Sequence, residues 1–386
     1  MPAMIQANPN VAILGIGTAV PIYRMDQEDT SRRLAEALGE NSDAARWTRR
    51  IFRQCGVETR YTCEPNLLEP AFRCRYFPSP SMEGVPTTAE RMGTYKRESV
   101  PLALQAAGQA LSDGKARASD ITHLIVVSCT GQFLPGLDAV LVRRLGLAAD
   151  VNRIPLHFLG CAAGLKAICL SRQIVSGDPK AKVLVVCVEL CTIHLRPSGE
   201  REALYAASFF GDGASACIVG SAGPDDAGVL LLDRQLSVLL PDGAEEMVWE
   251  VGNHGFDLYL SPDIPKRIGA RVPAEIERLL GGGAKPDLWA IHPGGRGIVD
   301  ALQRELGLTA EQTRFSRAVL RRYGNLSSAT ILFVLDEMRR ELAATGSGPA
   351  SGLSLAFGPG LSAEMIRFDY LPSAIRQEEP AGGAVV

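Results

Sequence analysis

The chain has 386 residues, 46% of them hydrophobic and 22% charged, with a formal net charge of −3. That balance supports a large buried core, so the chain need not be disordered, and Lys and Arg are scattered among Asp and Glu without the basic run that would make nucleic acid an expected partner. No stretch approaches the roughly 20 apolar residues of a membrane span, and the N-terminus lacks the order of a signal peptide, so a cytoplasmic protein with no membrane partner is expected.

In chain order, short apolar runs at Val11 to Gly15, Leu124 to Val127, Val183 to Val188, Ala214 to Val219, Leu288 to Ile291 and Leu353 to Ala356 alternate with helical patterns. The alternation predicts an α/β fold. The runs lack polar alternation, which suits strands buried on both faces with helices covering both sides. Nine cysteines, at 55, 63, 74, 129, 161, 169, 187, 191 and 217, form no CxxC or Cys/His pairing with zinc spacing. Reduced thiols without a metal are expected, most of them serving as small buried hydrophobes.

The two halves follow one plan. In the first, Ile121 to Gly131 is followed by Leu159-Gly-Cys-Ala-Ala-Gly164 opening an apolar segment, then by Phe210-Gly-Asp-Gly213. In the second, Asp287 to Gly295 is followed by Tyr323-Gly-Asn-Leu-Ser-Ser328 opening another, then by Phe357-Gly-Pro-Gly360. Each half reads as strand, helix, glycine turn. The turn-rich stretch Gly220 to Gly228 marks the junction, so residues 1–225 and 226–374 are expected as two halves and 375–386 as a frayed tail.

Cys161 stands among small residues where a strand turns into a helix. Unpaired amides and the positive end of a helix dipole favour a thiolate there, and the thiolate is the nucleophile. For most of the nine cysteines the bland reading, a structural core thiol, applies; the glycine context sets Cys161 apart. His292 ends the run Leu288 to Ile291 and precedes Pro293-Gly-Gly295, a strand end that would present a side chain to a cleft. Asn325 occupies the position equivalent to Cys161 in the second half. Alone, His292 reads as a structural histidine and Asn325 as a helix cap. Their joint placement at corresponding loops of two similar halves makes Cys161, His292 and Asn325 the expected catalytic set.

Over nearly its whole length the chain resembles the type III polyketide synthases, the family of chalcone synthase. The motifs that carry the likeness are Leu159 to Gly164, Phe210 to Gly213, Gly255-Phe-Asp-Leu-Tyr-Leu-Ser-Pro-Asp-Ile-Pro265, Ile291 to Gly295, Tyr323 to Ser328 and Phe357 to Gly360. The resemblance implies a thiolase-like fold of five αβαβα layers built from two related halves, a homodimer, and an acyltransferase that takes malonyl-CoA as extender and an acyl-CoA as starter. It also implies iterative decarboxylative condensation on Cys161, with His292 keeping the thiol ionised and, with Asn325, stabilising the enolate. No metal or redox cofactor is implied.

Phe210 matches an aromatic gatekeeper of the family. The second gatekeeper position falls on Leu258, where the aromatic is missing and nearby Phe256 replaces it in part. Arg50 and Arg53 resemble the basic residues that hold CoA phosphates, and a third family lysine has no counterpart. Cys129 and Cys191 match cysteines of bacterial tetrahydroxynaphthalene synthases, which use malonyl-CoA alone. A further cysteine of those enzymes stands near His194 instead, and their loop proline is followed by serine where this chain has Gly136. Leu134, in a cavity-edging loop, is expected to reach the neighbouring subunit. An alkylpyrone or alkylresorcinol synthase with a fatty acyl starter stays open beside the naphthalene reading, because Leu258 would leave room for a chain. Outside the family, the alternatives are a ketoacyl-carrier-protein synthase III-like condensing enzyme, which shares the Cys, His and Asn set, and a silent binding protein on the same fold. A thiolase is disfavoured, since no cysteine follows Cys217.

Overall fold

The computed structural model describes residues 10–372 except 80 and 242, so the expected tail 375–386 lies outside the described residues. Strand β1 (Val11–Ala19) leads into the hairpin strands β2 (Tyr23–Asp26) and β3 (Thr59–Thr62), which enclose helices α1 (Gln27–Ala37) and α2 (Asp43–Gln54). Then come α3 (Thr88–Asp113), β4 (His123–Ser128), α4 (Leu137–Leu145), β5 (Asn152–His157), α5 (Ala163–Gly177), β6 (Val183–Leu190), α6 (Arg201–Phe209) and β7 (Asp212–Ser221).

Residues 222–228 connect β7 to β8 (Val229–Leu239). A hairpin of β9 (Met247–Gly252) and β10 (Gly255–Leu260) precedes α7 (Ile264–Leu280), β11 (Leu288–Ile291), α8 (Arg296–Glu305), α9 (Arg314–Tyr323), α10 (Thr330–Ala344), β12 (Ala350–Gly358) and β13 (Ser362–Leu371). All six apolar runs picked out from the sequence fall within strands of the large sheet.

That sheet has the order β11-β12-β13-β8-β1-β7-β6-β4-β5. On one side β1 pairs antiparallel with β7, β7 antiparallel with β6, and β6 parallel with β4. The other side repeats this: β8 pairs antiparallel with β13, β13 antiparallel with β12, and β12 parallel with β11. The two halves join where β1 meets β8 over Ala12 and Ile13.

Strand alternation decides which layer each side chain enters. In β6, Leu184, Val186 and Val188 face α3 and α4, whereas Val183, Val185 and Cys187 face α5 and α10. The second half does the same: Leu353, Leu355 and Phe357 of β12 pack with α7 and α8, and Ala356 joins the central helices. The layers therefore run helix, sheet, helix, sheet, helix, with α5 and α10 in the middle. This is the five-layer α/β arrangement that the resemblance implied. Each fully buried Val, Leu or Ile contributes about 1.5–3 kcal/mol, which is why the middle pair, apolar on most sides, can hold a polar site at its leading ends.

Candidate active site

Cys161 and Asn325 precede the two central helices. Gly160–Ala162 forms a single 3-10 turn ahead of α5, and Ser327–Ala329 forms its counterpart ahead of α10. The turns meet. Cys161 Sγ lies 3.9 Å from Asn325 Nδ2, 4.0 Å from Asn325 Oδ1 and 3.6 Å from Ser327 Oγ. Asn325 is itself oriented, since its Nδ2 donates to Gly294 O at 3.2 Å and its Oδ1 accepts from Ser327 N–H at 2.8 Å. Ser327 has a φ of 48°, a left-handed conformation that a non-glycine residue adopts at a cost. The Cys161 turn is pressed against the Phe357 to Gly360 turn: with φ at 63°, a Cβ on Gly160 would stand 2.1 Å from Pro359 Cδ. Only glycine fits both the conformation and the contact.

His292 follows the last residue of β11. Its N–H donates to Leu355 O at 2.8 Å, so the backbone is tied to β12 while the ring is free: neither Nδ1 nor Nε2 has a hydrogen-bond partner. The ring lies against Gly294, where an added Cβ would stand 3.3 Å from His292 Nε2, and the Gly294 carbonyl accepts from Asn325.

Burial pushes the imidazole down to about 3, leaving it neutral near pH 7. Burial pushes the Cys161 thiol up to about 11; the Ser327 and Asn325 hydrogen bonds pull it down, and the Glu189 charge pushes it further up. Desolvation thus opposes the thiolate that a helix end favours, and among the described residues no hydrogen bond joins Cys161 to His292.

Behind the turn stands Glu189, in the otherwise apolar β6. It accepts from Cys129 N–H at 3.0 Å, from Thr130 Oγ1 at 2.7 Å and from Ser328 Oγ. Burial pushes its carboxyl up to about 7 against these three donors. Cys129 belongs to this backing rather than to a cavity wall, because its Sγ accepts from Gly160 N–H at 2.9 Å. Cys129 is not among the residues that line the cavity described next.

A small cavity of about 30 Å³ lies nearby. Cys191, His194, Phe210, Phe256 and Leu258 line it, with Trp249, Leu195, Arg196, Ala203 and Ala206. Phe210 ties the cavity to the polar site, since its backbone forms a parallel bridge with Asn325. His194 is held as a wall: its ring stacks on Phe256 with centroids 4.2 Å apart, its Nε2 donates to Thr130 O at 2.7 Å, and its Nδ1 accepts from Phe256 N–H at 3.0 Å. Those two bonds define the tautomer, and burial pushes the ring down to about 3.

Leu134 is 90% exposed on the loop between β4 and α4 and is not among the lining residues. Arg50 and Arg53 lie on the exposed face of α2, Arg50 with its guanidinium 5.5 Å from the Trp47 ring centroid. Among the described residues no group of His, Cys, Asp and Glu could hold a metal ion.

Three neighbours of the site escaped the sequence reading. Glu189 had a signal, a carboxylate inside an apolar run. Ser327 is visible only as a neighbour of Asn325. Trp249 had none, because it comes to the cavity through register, directly opposite Leu258 in the β9–β10 hairpin.

Two family models match, chalcone and stilbene synthases N-terminal domain over residues 3–224 and C-terminal domain over residues 232–372. The Mycobacterium tuberculosis protein named "Alpha-pyrone synthesis polyketide synthase-like Pks18" is 31% identical over 369 residues, 94% of this chain and 92% of that one. "Probable polyketide synthase 1" of Dictyostelium discoideum is 30% identical over 370 residues, 93% of this chain; the match spans only 11% of that much longer protein. Among solved structures, the C-terminal type III polyketide synthase domain of Steely1 from Dictyostelium superposes with a TM-score of 0.86 at 29% identity, covering 94% of this chain and 99% of that one. The 1,3,6,8-tetrahydroxynaphthalene synthase of Streptomyces coelicolor A3(2) gives 0.82 at 29% identity, with 94% and 100% covered.

Proposed function

This chain belongs to the chalcone and stilbene synthase family, the type III polyketide synthases, and from that premise we propose that it condenses malonyl-CoA repeatedly onto an acyl group held as a thioester on Cys161. The observation that carries the reading is the meeting of Cys161 Sγ with the Asn325 amide at 3.9 Å, with His292 against Gly294 and an aromatic cavity nearby.

The chemistry follows from charge. The neutral, unpartnered His292 ring accepts the Cys161 proton, the sulfur attacks the starter thioester carbonyl, and CoA leaves as its thiol. A malonyl thioester then loses carbon dioxide, and the electron pair left behind becomes an enolate. The Asn325 Nδ2–H and a His292 ring N–H are the fixed donors for its oxygen, the electrostatic role that preorganised dipoles perform best. The enolate carbon attacks the acyl-Cys161 carbonyl, a carbon–carbon bond forms, and the Cys161 sulfur leaves as thiolate to take back the lengthened chain. Every step uses the chain's own groups and CoA esters. Arg50 and Arg53 are assigned to the CoA phosphates, and the protein is read as a cytoplasmic homodimer in which exposed Leu134 reaches the partner.

Product identity rests on cavity size. At about 30 Å³, the cavity is far smaller than the roughly 300–1,000 Å³ usual for ligand pockets. Trp249 takes up space opposite Leu258. Both support short units, with malonyl-CoA alone as substrate and an aromatic or pyrone product. Leu258 in place of an aromatic supports the second reading, a longer acyl starter. Mass spectrometry of products from malonyl-CoA alone, and then with acyl-CoA starters of graded length, decides. An aromatic pentaketide from malonyl-CoA alone bears out the first reading, pyrones or resorcinols that need a long starter bear out the second, and no condensation with any CoA ester removes both.

A further inference from the structure

Arg60, on β3, is completely buried. Its Nη1 donates to Phe210 O at 2.7 Å, while Nε and Nη2 have no hydrogen-bond partner. The carbonyl it holds caps the C-terminal end of α6, where the last carbonyls of a helix have no partner within it. Each of these carbonyls is taken by a different part of the chain: Ser208 O by Gln27 Nε2 at 2.6 Å, Phe209 O by Asn325 N–H at 2.7 Å, and Phe210 O by Arg60. A cation at this end also suits the helix dipole.

The same end of α6 grips Asn325. Its N–H is spent on Phe209 O, and its carbonyl accepts from Gly211 N–H at 3.1 Å. The Arg60 stem wedges the arrangement from behind. A Cβ on Gly324, where φ is 72°, would stand 2.3 Å from Phe209 O and 3.0 Å from Arg60 Cγ. A buried guanidinium with two unpaired nitrogens costs stability, and an apolar side chain of similar volume often serves a core as well or better. Arg60 is therefore poorly explained as core filler.

We propose that Arg60 is a positioning residue: by bolting the end of α6 to β3 it sets where Asn325 stands, and so couples malonyl decarboxylation to carbon–carbon bond formation on Cys161. The proposal rests on the polyketide synthase reading above, and the test separates the two. Wild-type protein given malonyl-CoA first reports acetyl-CoA, from decarboxylation without condensation, and polyketide product; the absence of both sinks the functional reading irrespective of Arg60.

With the wild type active, Arg60→Met and Arg60→Lys are compared for kcat, KM for malonyl-CoA, the ratio of acetyl-CoA to polyketide, and Tm. Misplacing a catalytic amide by about 1 Å costs on the order of 100-fold. The expected result for Arg60→Met is a fall in polyketide kcat of about 10- to 100-fold with KM nearly unchanged, Tm level or raised, and a larger acetyl-CoA share, with Arg60→Lys restoring much of the loss. A wild-type rate and ratio in Arg60→Met overturns the proposal. So does a loss that follows Tm, leaves the ratio unchanged and is not restored by lysine. Should Arg60→Met not fold, Arg60→Gln, which keeps a donor but not the charge, is read by the same ratio, and an unchanged ratio overturns the proposal there too.

Discussion

The Sγ of Cys161 and the Oγ of Ser327 stand 3.6 Å apart across 166 residues of chain. Each sits on the turn that opens a central helix, one in each half of the molecule, so the contact is where the repeated architecture closes on itself. The hydroxyl is one of the groups that lower the thiol's pKa against burial. Ser327 holds a left-handed backbone to be there, strain of a kind that clusters at functional sites.

Replacing Cys161 with Ala removes the acyl acceptor while fitting the small-residue turn. Chain extension is expected to fall by at least about 1,000-fold, as for other catalytic nucleophiles, with the melting temperature nearly unchanged. Product formation is followed by mass spectrometry and folding by thermal melting; retained extension would remove the nucleophile assignment.

A thiol pushed up to about 11 is mostly protonated at pH 7. Its thiolate fraction rises about tenfold per pH unit below that value. Iodoacetamide alkylation of Cys161, followed by peptide mass spectrometry, should therefore accelerate by about that factor per unit between pH 7 and 9. Ser327→Ala, which removes a bond that lowers the pKa, should react more slowly at every pH in that range. A rate already flat at pH 7 would instead reveal an ion pair with His292.

Glu189 is a carboxyl raised from 4.5 to about 7 by burial. The folded state then holds its proton over a range in which the unfolded chain has lost it, so its contribution is full below about pH 4.5 and is lost as pH rises through about 7. Urea titrations of Glu189→Gln beside the wild type should show the variant gaining relative stability across that window. A constant difference from pH 4 to 8 would mean that folding leaves the Glu189 pKa unchanged.

Trp249 stands opposite Leu258 at the cavity and meets the Phe210, Phe256 and His194 rings edge-on, with centroids 6.4, 6.3 and 6.2 Å away. Trp249→Gly should enlarge the cavity and raise kcat/KM for a long acyl-CoA starter, relative to malonyl-CoA alone, by roughly 10-fold or more, the scale of a few methylenes in an apolar pocket. Competition between starters, read by product mass, tests this. An unchanged preference would place the chain-length determinant elsewhere.

By itself the sequence determined the α/β alternation, the six buried strands and the small-residue turn at Cys161, because burial on both faces and tight turns impose local patterns on a chain. It also placed His292 and Asn325 at matching points of the two halves, and its motifs carried the family. Tertiary structure alone decided the rest. Cys129 and Cys191 look alike in sequence, yet one backs the Gly160 turn and the other lines the cavity, a difference of packing with no local signature. Whether Cys161 rests as thiol or thiolate, and whether His292 carries a proton, depends on how far the surrounding layers exclude water. Arg60 and Trp249 act through neighbours more than 100 residues away or through hairpin register, and such contacts exist only once the two sheets have closed over α5 and α10.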